Sequence, residues 1–213
     1  VGQVIDIARR RGLRLMVRLV KGAYWDSEIK RAQVLGLPAY PVFTHKHHTD
    51  LSYLACARAL LQAPASVFPQ FASHNAGTIA AIMLLARDAG VPFELQRLHG
   101  MGESVYREVL GTVSAPCRVY APVGQYRDLL AYLVRRLLEN GANSSFVHQL
   151  ADAGVPLSEL LSSPLRVEAQ PALPLPPDIY GAARRNSTGI DVMLRSDRGL
   201  LLELLMQDPW TRS

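Results

Sequence analysis

The chain has 213 residues, 49% hydrophobic and 19% charged, with a formal net charge of +5. That balance excludes a disordered or collagen-like chain and leaves room for a sizeable buried core. Basic residues cluster at Arg9, Arg10, Arg11 and Arg14, but no helix-turn-helix, zinc-finger or RNA-binding signature accompanies them, so nucleic acid is not indicated and an acidic small molecule accounts for the charge equally well.

Neither a signal peptide nor an apolar run of the ~18 residues that a membrane span needs is visible. Cys56 and Cys117 lie far apart within apolar segments, which reads as two buried free thiols in a reducing, cytoplasmic setting. The chain begins at Val1 inside a helical stretch that ends near Gly12, so it is expected to be part of a longer protein.

From Leu13 one grammar repeats: a short apolar run, polar residues, then a helical stretch. "LRLMVRLVKG" leads into Tyr24 to Leu35, "YPVFTHK" into Thr49 to Leu61, and "VFPQFASHN" into Thr78 to Ala89. "PFELQRLHG" then leads into Glu103 to Leu110, and "CRVYAPVG" into Arg127 to Glu139. Strands alternating with helices at this pace predict about five parallel βα units. No G-x-G-x-x-G and no P-loop follows any strand, which removes the usual support for a nucleotide-binding open sheet. Each strand instead ends in groups able to bind a ligand: Arg18 and Lys21, Thr44 and Lys46, Ser73 and His74, Gln96 and His99, then Tyr120. That predicts an α/β fold forming the C-terminal portion of a distorted (β/α)8 TIM-type barrel, whose site lies at the carboxyl ends of its strands, with about three of the eight units upstream of Val1. Residues 1–154 would form this part; residues 155–213, rich in proline, read as an extended linker ending in a short helix from Leu200 to Met206.

Several chemistries compete. His45, His47 and His48 stand close together, but no second ligand cluster with helical spacing exists, so a metal is not expected. Ser73 adjoins His74, yet neighbours on a strand point to opposite faces and no G-x-S-x-G elbow is present. Lys21 and Lys46 suit either a Schiff-base enzyme, in which desolvation lowers an amine's pKa, or a phosphate site.

The last helix poses its own question. Tyr132, Arg135, Arg136 and Glu139 recur at i, i+3, i+4 and i+7 and form one stripe, opposite Leu129, Leu130, Leu133, Val134, Leu137 and Leu138. If the helix packs its apolar arc on the sheet, the stripe is solvated; if it crosses the strand ends, the stripe faces the pocket. The two placements require opposite burial of Arg135 and Arg136.

The blocks "RLVKGAYWDSEIKRAQ", "YPVFTHKHHTDLSYLACA", "FASHNAGTIAA", "LHGMGE", "CRVYAPVG" and "LAYLVRRLLENGANSSFV" together resemble the proline dehydrogenase domain of the proline utilization A family, over roughly Leu13 to Ala151. The later "LPPDIYGAARRNSTGIDV" is similar to that family's passage into an aldehyde dehydrogenase domain, which would belong to the same parent chain. The resemblance implies a flavoenzyme on a distorted (β/α)8 barrel whose last helix lies over the flavin, which favours the inward stripe. On that reading Arg135 and Arg136 grip the carboxylate of L-proline, and Tyr120, Tyr132, Leu19 and Tyr24 wall its ring. Arg18, Val20, Ala23, Trp25, Thr44, Lys46, Ser73, His74 and Glu139 fall where the family contacts FAD, with Arg18 near the flavin N5. The implied reaction passes a hydride from proline C5 to the flavin and gives pyrroline-5-carboxylate, with a quinone as oxidant and peripheral association at the inner face of the membrane. A lysine-dependent barrel enzyme and a non-catalytic scaffold are the alternatives.

Overall fold

The computed structural model describes residues 1–141, 171–190 and 195–207, with positions 152, 154–156, 158, 163 and 192 between them; of residues 137–141 only the backbone is described. The chain divides into two compact units, Val1–Ala23 with His45–Ala169, and Tyr24–Thr44 with Gln170–Ser213.

In the first unit, α1 (Gly2–Arg11) precedes β1 (Leu15–Leu19), and α3 (Lys46–Leu61) precedes β2 (Val67–Ala72). There follow α4 (Ala76–Ala89), β3 (Glu94–Leu98), α5 (Glu103–Thr112), β4 (Cys117–Tyr120) and α6 (Tyr126–Gly141). The strands form one parallel sheet in the order β1-β2-β3-β4. The described residues thus contain four strands where five were expected, because "YPVFTHK" forms none. Pro41 removes an amide donor there, and β1 pairs directly with β2 from Leu15↔Val67 to Leu19↔Phe71, leaving no place between them.

Alternation along the strands gives the sheet two unlike faces. Val17, Leu19, Val67, Phe71, Leu95 and Cys117 meet Tyr53, Ala57, Leu60 and Leu61 of α3, Ile79 and Ile82 of α4, and Tyr106 of α5 in one core. Burying a side chain the size of Phe71 or Leu60 contributes about 1.5–3 kcal/mol. The other face carries Arg18, Gln70, Glu94, Gln96 and Arg118, one or two from each strand, brought level by the register Arg18↔Gln70, Gln70↔Glu94 and Gln96↔Arg118. Gln70, Glu94 and Gln96 in the middle of this row are buried while Arg18 and Arg118 at its ends are exposed, and buried polar groups of that kind persist only when they are hydrogen-bonded. Cys56 and Cys117 are free thiols, half-buried rather than fully buried as expected.

The second unit contains α2 (Trp25–Leu35), a 3-10 turn (Pro176–Asp178) and α7 (Arg195–Gln207), the last longer than its expected span. Residues of the proline-rich stretch are tied to α2 rather than left as a plain linker. Asn186 Nδ2 donates to Gln33 O (2.6 Å) and Pro176 O (3.1 Å), and the Gly189 N–H to Leu35 O (2.6 Å). Glycine is required at 189, since a Cβ there would stand 2.3 Å from Leu35 O. Among the described residues no helix is long and apolar enough to cross a membrane.

Candidate active site

The polar groups of the first unit converge at the carboxyl ends of the strands. Tyr132, Arg135 and Arg136 of α6 are half-buried, while Leu130, Leu133 and Val134 of the same helix are 58%, 46% and 42% exposed. Tyr132, Arg135 and Arg136 therefore face inward while Leu130, Leu133 and Val134 face outward, the reverse of an ordinary surface helix. The Arg136 guanidinium carbon lies 5.2 Å from the centre of the Tyr132 ring. Its charge also reaches His74 and Tyr120.

Arg18, the penultimate residue of β1, stacks over Tyr120 at 5.0 Å and donates from Nε to Gln96 Oε1 at 2.9 Å. Gln96 Nε2 in turn donates to Glu94 Oε1 at 2.8 Å, as does Gln70 Nε2 at 2.9 Å. Arg118 closes the row with two bonds to the Glu94 carboxylate, 2.9 Å from Nε and 2.8 Å from the terminal nitrogen. These donors, the Arg118 bond first among them, hold the Glu94 carboxyl below its usual range against burial.

His74 follows β2 and accepts the Leu98 backbone N–H at Nε2 (3.1 Å), so its neutral ring carries the proton on Nδ1. Burial, then the charges of Arg136 and Arg97, push this imidazole down. Gly102 has φ +65 and a Cβ there would come within 3.0 Å of the His74 ring, which accounts for the glycine in "LHGMGE". Two tyrosines brace the strand ends: Tyr106 Oη lies 2.7 Å from Ser73 O and 2.9 Å from Gln96 O, and Tyr53 Oη lies 3.4 Å from both Leu19 O and Ala72 O.

A second cluster joins Lys21, Lys46 and Asp50. Lys46 Nζ donates to Asp50 Oδ2 at 2.7 Å, and Lys21 Nζ to the other Asp50 oxygen and to Thr78 Oγ1 at 3.0 Å. Burial pushes the Lys21 amine down while Asp50 opposes it, and burial of Asp50 is outweighed by the two ammonium groups, which keep its carboxyl low.

The remaining expected residues fall out differently. Leu19 packs into the core on the face opposite Arg18, so it does not wall a pocket beside Arg18. Val20 is exposed and Ala23 half-buried. Tyr24, Trp25 and Thr44 belong to the second unit; there Tyr24 is the N-cap of α2 and the Trp25 indole donates to Phe43 O at 2.9 Å. The Glu139 side chain lies outside the described residues. The rings of His45, His47 and His48 pack against one another, 4.2–5.5 Å between centres, and among the described residues no group of three or more metal-binding side chains converges.

Glu94, Asp50, Arg118, Tyr53 and Tyr106 were not singled out by sequence. The alternation in "ELQRL" was the available signal, because Glu94 and Gln96 share the strand face opposite Leu95. Arg18, Arg135 and Arg136 with the rings of Tyr120 and Tyr132 suit a small anion carrying an apolar body: planar cations for a carboxylate, aromatic faces for a ring.

A sequence profile described as Proline dehydrogenase matches residues 1–149. Bifunctional protein PutA of Klebsiella aerogenes is 54% identical over 211 residues, covering 90% of this chain and 16% of that protein. Proline dehydrogenase 1 of Bacillus subtilis is 32% identical over 145 residues, covering 67% of this chain and 43% of that protein. A crystal structure of a Bradyrhizobium japonicum proline utilization A variant superposes with a TM-score of 0.86 at 51% identity, over 97% of this chain and 22% of that one. The chain thus spans between about a sixth and under half of the length of these curated relatives.

Proposed function

The chain belongs to the proline dehydrogenase family, and from that premise we propose that it supplies the proline-binding and part of the flavin-binding surface of an enzyme oxidising L-proline to pyrroline-5-carboxylate. The observation that carries this reading is the inward stripe of α6, on which Arg136 lies toward His74 and Tyr120, Tyr132 toward Tyr120, and Arg135 is half-buried. Two guanidinium groups match one carboxylate by charge and fork geometry, and Tyr120 and Tyr132 offer the faces that a pyrrolidine ring needs.

The donor set also fits FAD. Arg18 and Lys46 are cations at one end of the sheet, suited to an electron-rich ring edge and to phosphate respectively. When bound, FAD would supply the two-electron acceptor for a hydride. The protein's residues hold the proline carboxylate, fix the ring and keep water from the reacting carbon. Proline loses a hydride from C5 and the proton of its amine, which leaves the C=N bond of the product. We assign a quinone as the final oxidant, an aldehyde dehydrogenase domain as the neighbour in the parent chain, and a cytoplasmic location with peripheral contact at the inner face of the membrane.

The test is the full-length parent protein that carries these residues, incubated with excess FAD and desalted. Flavin absorption bands that bleach anaerobically on adding L-proline, with pyrroline-5-carboxylate formed, are expected. A colourless protein whose Lys21 is instead trapped by borohydride with a carbonyl compound would overturn the reading in favour of amine chemistry.

A further inference from the structure

Glu94 is the first residue of β3 and is buried at 6% exposure. A carboxylate only accepts hydrogen bonds and a guanidinium only donates them. The amide of Gln96 lies between the two, with Nε2 toward Glu94 and Oε1 toward Arg18. Set between an anion and a cation, that amide has one orientation that satisfies both ends, and Glu94 holds the Nε2 end of it. Arg118 and Gln70 fix Glu94 itself, so the row runs without a break from β4 to the Arg18 Nε on β1.

We propose that Glu94 is a positioning residue for the redox centre: through Gln96 it sets the rotation of the Arg18 guanidinium beside Tyr120, so that bound flavin meets one fixed cation. The inference rests on the flavin reading above. It adds to it a carboxylate that touches neither substrate nor flavin and governs the chemical step rather than proline binding, because Arg135 and Arg136 are not members of the row.

The experiment uses FAD-loaded protein carrying Glu94→Gln or Gln96→Met, each alone and combined with Arg18→Met. Both single variants are expected to keep flavin, to change its visible circular dichroism, and to lower kcat with proline roughly tenfold while KM for proline stays within about twofold. In the Arg18→Met background neither change is expected to lower kcat further, since the route to the flavin is already cut. Should Glu94→Gln fail to fold, Glu94→Gln with Arg118→Gln replaces the ion pair by an amide pair, and the same loss of kcat is expected. Unchanged dichroism and kcat, or losses that add fully to that of Arg18→Met, would overturn the proposal. A wild-type protein without flavin bands would instead overturn the function on which it rests.

Discussion

Arg136 holds its guanidinium carbon 5.2 Å from the centre of the Tyr132 ring one turn back on α6, and both residues face inward while Leu130, Leu133 and Val134 face solvent. A helix gives up the burial of three apolar side chains only where another requirement sets its rotation. Recognition of a carboxylate by Arg135 and Arg136 is such a requirement.

Made in the full-length parent protein, Arg135→Met and Arg136→Met are each expected to lower kcat/KM for proline by roughly 10- to 100-fold with flavin still bound, because each removes a charge-assisted contact of about 1.5–3 kcal/mol. Steady-state kinetics with flavin absorbance on the same samples checks this. Wild-type kinetics in both variants would return the stripe to a structural role.

Tyr132→Ser is expected to raise the relative use of hydroxyproline. A ring that closes the pocket rejects an added hydroxyl by contact, whereas an open apolar site discriminates poorly against it. The ratio of kcat/KM for the two substrates decides the matter, and an unchanged ratio removes Tyr132 from the substrate wall.

The fold was legible where local patterns agree with tertiary packing. "LRLMVRL", "VFPQFA", "ELQRL" and "CRVY" all became strands, because their alternating or continuous apolar residues meet helices on one face. "YPVFTHK" has the same apolar look but carries Pro41 and has no partner edge, a fact set by the β1–β2 pairing and invisible in the segment itself. Periodicity found the α6 stripe but could not say which way it turns, since that depends on what lies above the strand ends. Glu94 escaped notice because its importance lies in contacts with residues 24 positions away on either side, Gln70 and Arg118.

Tyr106→Phe is expected to destabilise the protein by about 0.5–1.5 kcal/mol, the net worth of a buried hydrogen bond. Its hydroxyl lies 2.7 Å from the carbonyl of Ser73, just past β2, and 2.9 Å from that of Gln96 in the middle of β3. Tyr53→Phe should cost less, because both of its contacts are 3.4 Å long. Urea unfolding of the two variants side by side tests the order, and a larger loss for Tyr53→Phe would contradict it.

His74 should make stability depend on pH below neutrality. Its ring titrates near 6.5 in an unfolded chain; in the fold, burial first and then Arg136 and Arg97 lower that value. Between the two pKa values the unfolded chain binds more protons than the native one, so stability is fully present above about 6.5 and is lost as pH falls through the folded pKa. Protonation also removes the lone pair with which Nε2 accepts the Leu98 N–H. Asp50 and Glu94 act in the same direction but only in the acid range beneath about 4, since both are held below the ordinary carboxylate value. His47 is lowered as well, by burial and its histidine neighbours, so the contribution of His74 has to be read by difference. His74→Gln keeps an acceptor for the Leu98 amide and does not titrate. Urea midpoints at pH 7.5 and 5.5 are expected to fall further in the wild type than in His74→Gln, and an equal fall in both would show that His74 carries none of the pH dependence.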